Sequence, residues 1–146
     1  MNINGTALAD TLRGTSLADF IYGLAGDDTI NGGDGADYVE AGDGNDSVYG
    51  EAGDDHLRGG IGDDLLAGGD GNDRLNGGAG HDRMFGGLGN DIFDGEDGND
   101  RLEGGAGFDM LIGGAGNDTL YGGADKDYLD AGYGDDIIYA GDGDDG

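Results

Sequence analysis

The sequence predicts an all-β chain in which short parallel strands stack into a solenoid. Three observations lead to this prediction: a period of nine residues along the whole chain, an aspartate at one fixed place in every period, and a large apolar residue two places later. A short fixed period is typical of repeat proteins, in which each repeat packs only against its neighbours.

Composition narrows the class further. The 146 residues include 38 Gly and 33 Asp plus Glu against 6 Lys plus Arg, with a net charge of -27 and no Cys. This balance normally indicates disorder unless a cation holds the chain together. The lack of Cys excludes disulfides, and the negative charge disfavours nucleic acid and anionic lipid as partners. We also expect no membrane span, because no apolar run approaches roughly 20 residues, and no cleaved signal peptide, because no positively charged apolar leader opens the chain.

The nine-residue blocks begin at Gly5 and run without interruption to the sixteenth, which stops at its seventh residue. Position six is Asp in every block, and position eight is always apolar, from Leu12 to Ile138. Position four is Gly except at Leu8, Leu17 and Asp125. Composition alone cannot produce such an alignment.

One block predicts a turn followed by a strand. The first six residues are rich in Gly, which enters positive φ at low cost, and the last three, such as residues 29–31, form a minimal strand. Alternation along the strand points position eight inward and positions seven and nine outward. So short a strand must stack to bury its one apolar residue. The periodicity alone leaves open whether a coil has two sides or three.

The pattern Gly-Gly-x-Gly-x-Asp-x-U-x, where U is large and apolar, resembles the nonapeptide of the RTX (repeats in toxin, hemolysin-type) family of calcium-binding repeats. The resemblance covers essentially the whole chain. It implies a parallel β-roll, a two-sheet right-handed β-solenoid of the parallel β-helix type, with two nonapeptide repeats per coil. We expect a single domain over residues 1–146, with an N-terminal strand and two atypical turns in residues 1–22 and regular repeats in residues 23–146.

Calcium is the expected ligand of the stacked turns. Stacking places Asp28 above Asp46 and Asp37 above Asp55, and carboxylates so close repel each other unless a cation lies between them. Carboxylate and carbonyl oxygens suit Ca²⁺, whereas Mg²⁺ demands a tighter octahedron. The resemblance also implies ions between adjacent turns. The predicted metal ligands are Asp10, Asp19, Asp28, Asp37, Asp46, Asp55, Asp64, Asp73, Asp82, Asp91, Asp100, Asp109, Asp118, Asp127, Asp136 and Asp145.

The number of ions is bounded by the number of gaps between turns. Two stacks of eight turns leave seven gaps each, and therefore up to about 14 Ca²⁺ ions. Three turns depart from the pattern: two carry Leu8 and Leu17 in place of Gly, and one places Lys126 beside the ion. Removing the gaps that adjoin these turns leaves about ten gaps as strong candidates for calcium sites.

A catalytic role is not expected. His56 and His81 occupy different block positions and are predicted to be surface residues, and neither Ser16 nor Ser47 has a plausible base beside it. The resemblance implies a non-catalytic domain of bacterial proteins that are secreted through type I machinery as unfolded chains. Such a domain would fold outside the cell as it binds calcium, a metal-induced folding step.

A second interpretation uses the outward strand positions. Position seven of the even-numbered blocks includes Phe20, Tyr38 and Tyr128, and position nine of the odd-numbered blocks includes Tyr49, Phe85, Tyr121 and Tyr139. An aromatic stripe would suit an extracellular adhesion or polysaccharide-binding module, or a protein partner. Alternatively, these residues only suit exposed strands. Exposed strand edges at the last coil would favour self-association.

Overall fold

The computed structural model describes residues 1–143, which form sixteen strands and no helix. The odd-numbered strands pair in one eight-stranded parallel sheet, the first sheet, and the even-numbered strands pair in another, the second sheet. The strands are β1 (Asn2–Asn4), β2 (Thr11–Arg13), β3 (Phe20–Ala25), β4 (Thr29–Asp34), β5 (Tyr38–Asp43), β6 (Ser47–Ala52), β7 (His56–Ile61), β8 (Leu65–Asp70), β9 (Arg74–Ala79), β10 (Arg83–Leu88), β11 (Ile92–Asp97), β12 (Arg101–Ala106), β13 (Met110–Ala115), β14 (Thr119–Ala124), β15 (Tyr128–Tyr133) and β16 (Ile137–Asp142). In this part of the chain no helix has the length and apolarity that crossing a membrane requires.

One coil of the solenoid consists of two blocks. In the first sheet Ile21 pairs with Val39, and in the second sheet Ile30 pairs with Val48, so the chain returns to the same place two blocks later. A three-sided coil would return only after three blocks. The register therefore confirms the predicted two-sheet parallel β-roll.

Most strands are twice as long as predicted. From β3 onward each strand has six residues, positions seven to nine of one block and positions one to three of the next, as in β4 (Thr29–Asp34). The prediction of a three-residue strand after a six-residue turn is wrong, since only positions four to six lie between strands. The glycine-rich positions are held extended because they pair with the same positions of the neighbouring coil, as Gly33 does with Glu51.

The core is a narrow column between the two sheets. Positions eight and one both face inward, and the position-eight side chains from Ile21 to Leu120 are buried in a single cluster. Position one is Gly in most blocks and the small Ala in three, of which Ala41 and Ala131 are buried. Near the end of the roll the burial fades. Ile138 is 48% exposed because β16 is the last strand of its sheet and pairs only with β14.

The turns need a backbone conformation that favours glycine. Position four takes a positive φ, as at Gly44 (φ 143°), and Asp125 adopts it as well (φ 77°). Leu8 and Leu17 stand at the same position in the first two blocks, but they are not among the positive-φ residues that the structure describes. The first two turns are therefore built differently from the rest.

Candidate metal centre

The position-six aspartates form one column along each edge of the roll. The first edge contains the turns that lead from the first sheet to the second, including Asp28 and Asp46, and the second edge contains those that lead back, including Asp37 and Asp55. Each of these side chains is at most 3% exposed. The expected stacking of Asp28 with Asp46 and of Asp37 with Asp55 is confirmed by direct hydrogen bonds.

From Asp28 to Asp136, one carboxylate oxygen of each position-six aspartate links two coils. The backbone N–H of Asp28 donates to Oδ1 of Asp46 at 2.7 Å, and the N–H of Asp64 donates to Oδ1 of Asp82 at 2.8 Å. The same bond recurs at the other described turns of both edges. Oδ1 is thus occupied by the backbone of the preceding coil, which orients the carboxylate and leaves Oδ2 as the group available to a ligand.

The second carboxylate oxygen is buried without a hydrogen-bond partner. This holds for Oδ2 of every position-six aspartate from Asp28 to Asp118. Oδ2 of Asp64 lies beside the Cα of Gly59, where a β-carbon would overlap it and would also stand 2.7 Å from the carbonyl oxygen of Gly77 in the next coil. Two oxygens therefore converge on a space that position one keeps open by being Gly. Buried acceptors with no donor are costly unless a cation or a proton satisfies them.

Burial raises the pKa of these carboxyl groups. Loss of solvation raises the pKa of four of them to about 7, and repulsion from neighbouring carboxylates adds to the effect at Asp55, Asp64, Asp100 and Asp109. Burial likewise raises the pKa of Asp73 and Asp82 to about 6. Without a cation, these groups therefore hold a proton to a higher pH in the fold than an ordinary aspartate does. The donor set, carboxylate plus carbonyl oxygen, is one that hard cations such as Ca²⁺ prefer.

The first two turns satisfy their aspartates in another way. The N–H and hydroxyl of Thr6 donate to Oδ2 of Asp10 at 2.6 and 2.9 Å, and those of Thr15 donate to Oδ2 of Asp19 at 2.7 and 2.8 Å. Hydrogen bonds from the Met1 amino group and from Thr15 hold the pKa of Asp19 below its usual range. Sequence reasoning missed this role, although the signal was present, because Thr occupies position two in these two blocks only.

The turn that carries Lys126 keeps the regular arrangement. Lys126 is exposed, whereas Asp127 is 1% exposed and its Oδ1 accepts the N–H of Asp109 at 2.9 Å. The lysine side chain therefore does not replace the inward aspartate. Asp145, the last of the predicted ligands, lies outside the described residues.

A second ladder runs along the surface of the first edge at position five. Oδ1 of Asp27 accepts the N–H of Asn45, Oδ1 of Asn45 accepts the N–H of Asp63, and Oδ1 of Asp63 accepts the N–H of His81, all at 2.8 to 2.9 Å. These bonds point to the following coil, opposite in direction to the Oδ1 bonds of position six. Asp27 and Asp63 thus lie at the surface, and their carboxylates also cap backbone groups.

Side chains alone do not form a metal cluster in residues 1–143, since no group of three His, Cys, Asp or Glu converges there. Each turn contributes a single inward carboxylate, so a cation between two turns would also need backbone carbonyl oxygens. His81 lies at the surface as predicted, and its Nδ1 accepts the N–H of Asn99 at 2.9 Å. His56 packs against the edge of the Tyr38 ring.

The outward aromatic residues form two separate clusters. On the first sheet Tyr38 contacts Phe20, Tyr22 and His56 with ring centroids 5.1 to 6.2 Å apart. On the second sheet Tyr121 stacks on Tyr139 at 4.8 Å. Since Tyr49 and Phe85 are separated by β8, where Ala67 takes position nine, the continuous stripe that the second interpretation required is interrupted.

A parallel roll of nine-residue repeats, with a column of buried aspartates along each edge, is the architecture of a calcium-binding repeat domain. The chain belongs to the family described as RTX calcium-binding nonapeptide repeat (4 copies), which matches residues 4–39, 31–66, 58–93, 94–129 and 121–146. Repeats of this family are typical of secreted bacterial proteins. Comparison with curated proteins gives no match.

Proposed function

We propose that this chain is a non-catalytic domain whose position-six aspartates bind calcium between adjacent turns, and that binding and folding are one event. The observation that carries the proposal is the buried Oδ2 atom, which recurs without a hydrogen-bond partner from Asp28 to Asp118. Calcium would supply positive charge that neutralises these oxygens. The chain supplies the carboxylates, the turn carbonyls and the coil spacing that brings them together.

The ligand assignment follows the hydrogen bonds of the turns. Aspartates from Asp28 onward are assigned to ions, whereas Asp10 and Asp19 are not, because Thr6 and Thr15 already donate to their Oδ2 atoms. Each edge has seven gaps, and the first gap of each edge, which adjoins Asp10 or Asp19, is removed. We therefore propose up to about twelve ions, about six along each edge.

Folding on binding follows from the cost of the calcium-free state. The core contains little more than one apolar side chain per block, and the buried carboxylates repel each other when ionised. An ion that binds only the folded chain stabilises it by mass action. We propose that residues 1–146 respond as one domain, unfolded at low cytoplasmic calcium and folded at millimolar extracellular calcium, so that folding favours export by type I secretion.

Circular dichroism and calorimetry test this proposal directly. The chain in chelator at pH 8 is expected to show a disordered spectrum, and calcium is expected to restore the β signal in one cooperative transition, whereas equal magnesium should not. Calorimetry on the same sample counts the ions. If the chain in chelator retains the full circular dichroism signal of β structure, the proposed coupling between calcium binding and folding is wrong.

An extracellular adhesion or polysaccharide-binding role is the second candidate. The observation that favours it is the cation–π arrangement on the second sheet, where the Arg101 guanidinium lies 4.2 Å from the centre of the Tyr121 ring, which in turn stacks on Tyr139. Replacing Tyr121 and Tyr139 with Ala should then abolish binding to a glycan and leave calcium stoichiometry unchanged. Equal glycan binding by the variant would remove this candidate.

A further inference from the structure

We propose that a groove along the first edge binds the carboxylate groups of an acidic saccharide once calcium is bound. The groove has a volume of about 680 Å³ and extends over five consecutive coils, from Asn45 to Thr119. It is lined by positions five, six and seven of the odd-numbered blocks, beside the outer face of the second sheet. The inference rests on the proposed calcium binding, because the same blocks supply the position-six aspartates.

The position-five ladder leaves hydrogen-bond donors of its side chains available to a ligand in the groove. Oδ1 of Asn99 accepts the N–H of Asn117 at 2.7 Å, and Oδ1 of Asn45 accepts the N–H of Asp63 at 2.9 Å, so the amide nitrogen is the end of each side chain that the ladder does not use. Nδ1 of His81 accepts the N–H of Asn99, which places the proton of the neutral ring on Nε2. The ladder thus presents amide and imidazole donors along one wall of the groove.

Two of the few cationic residues of the chain face each other across neighbouring coils in the same groove. Arg83 of β10 and Arg101 of β12 are directly paired in register. The Nε and Nη2 groups of Arg101 already donate to Glu103, and its guanidinium lies over the Tyr121 ring, so Arg83 is the guanidinium of the pair that no carboxylate of the described residues occupies. Guanidinium groups bind carboxylates with two parallel hydrogen bonds, which makes a carboxylate the best-matched anion.

Calcium would control the sign of the potential in this groove. Asp46, Asp64, Asp82 and Asp100 are part of the lining, and their charge repels an anion until a cation neutralises it. Among the lining residues, Asp63 is the one exposed carboxylate, and it can accept a hydrogen bond from a sugar hydroxyl. Anion binding is therefore expected in the calcium-loaded state only.

The remaining lining favours a saccharide over a peptide. Ser47 and Thr119 add hydroxyl groups to the amide donors, and Leu65 is the one large apolar side chain in the lining. A peptide ligand would need apolar pockets for its anchoring side chains, whereas a polyhydroxylated chain with carboxylates matches a polar groove that contains the Arg83 guanidinium.

The test uses the full chain at saturating calcium with trigalacturonic acid as the probe and calorimetry as the readout. The acid is expected to bind, and its methyl ester is expected not to. Arg83→Gln should weaken binding at least about tenfold, since it removes a hydrogen bond between charged groups. Arg74→Gln is the matched control, because Arg74 also occupies position seven but lies on the first sheet, outside the groove.

Three results would overturn the inference: equal binding of acid and ester, equal loss in the two arginine variants, or binding of hexaglutamate in place of the saccharide. Circular dichroism on the same samples separates this inference from the proposed function. A chain that folds with calcium and binds no saccharide refutes the groove alone, whereas a chain that folds without calcium refutes the calcium proposal.

Discussion

Replacing Asp82 with Asn should have opposite effects with and without calcium. Asp82 sits in the middle of the first edge, where its Oδ1 accepts the N–H of Asp64 and its own N–H donates to Asp100. The amide that replaces the carboxylate keeps the acceptor and the shape of the side chain but removes the charge and the lone pairs of Oδ2. Any change in calcium binding then reports on Oδ2 and not on a broken backbone contact.

With calcium, the variant should lose ions and stability. Because Asp82 contacts the turns on both sides, two gaps are affected, and calorimetry should count about two fewer ions. An ion at one hundred times its dissociation constant contributes about 2.7 kcal/mol, so two lost ions should lower the free energy of unfolding by about 5 kcal/mol. Urea unfolding at saturating calcium measures this loss.

Without calcium, the variant should be more stable than the wild type. Raising the pKa of Asp82 to about 6 from its ordinary 3.8 means that the charged form costs the fold about 3 kcal/mol at pH 8, and a neutral amide avoids this cost. In chelator, Asp82→Asn should therefore fold at a lower sodium sulfate concentration than the wild type, as judged by circular dichroism, since sulfate strengthens burial.

Asp63→Asn is the matched control, because it makes the same charge change at an exposed position-five residue whose Oδ1 bond to His81 is retained. It should lose no ions and change stability by at most about 0.5 kcal/mol. An unchanged ion count in Asp82→Asn, or a stability change of the same sign with and without calcium, would refute the role assigned to Oδ2.

Three further predictions follow from other parts of the roll. First, carboxyl groups such as Asp64 and Asp100 have a pKa of about 7 in the fold and bind more protons there than in the unfolded chain, so the calcium-free fold loses stability as pH rises from about 4 to 7. The circular dichroism signal of the β structure in chelator should therefore grow as pH falls from about 8 to 5.5. A signal that grows as pH rises would contradict this prediction. Second, Thr15→Val should lower the unfolding temperature at saturating calcium without changing the number of bound ions, because the hydrogen bond from the hydroxyl to Asp19 is lost. Thr29→Val, at an exposed strand position, should change neither the unfolding temperature nor the number of ions. A lower number of ions in Thr15→Val would show that its turn holds an ion. Third, Leu24 has a φ of 86°, so Leu24→Gly should raise the free energy of unfolding by about 1 kcal/mol in urea and Leu24→Ala should not; equal gains would disprove strain at this residue.

Much of the roll could be predicted from the nine-residue spacing. An aspartate and an apolar residue two places apart, repeated without a slip, require the strands to stack in register, and the structure stacks Asp28 on Asp46 as expected. The same spacing marks where the chain departs from its own pattern, because Leu8 and Leu17 replace the glycine of position four. These features depend on local chemistry that each block carries in itself.

Other features depend on contacts between coils that no single block contains. Positions one to three read as a turn when taken alone, yet they pair with the neighbouring coil and extend the strand. Position one favours Gly because a β-carbon there would approach the next coil, as at Gly59, where it would stand 2.7 Å from the carbonyl oxygen of Gly77. Ala41, Ala131 and Ala140 are the exceptions.

The sequence by itself determined the period, the all-β class and the residues that would face inward, because alternation along a strand and the register of a repeat are local properties. Only the tertiary structure decided that the coil has two sides, and that each inward carboxylate gives Oδ1 to the preceding coil and leaves Oδ2 buried. The reason is physical: the direction of a carboxylate is set by donors two blocks away in the chain, which become neighbours only through stacking.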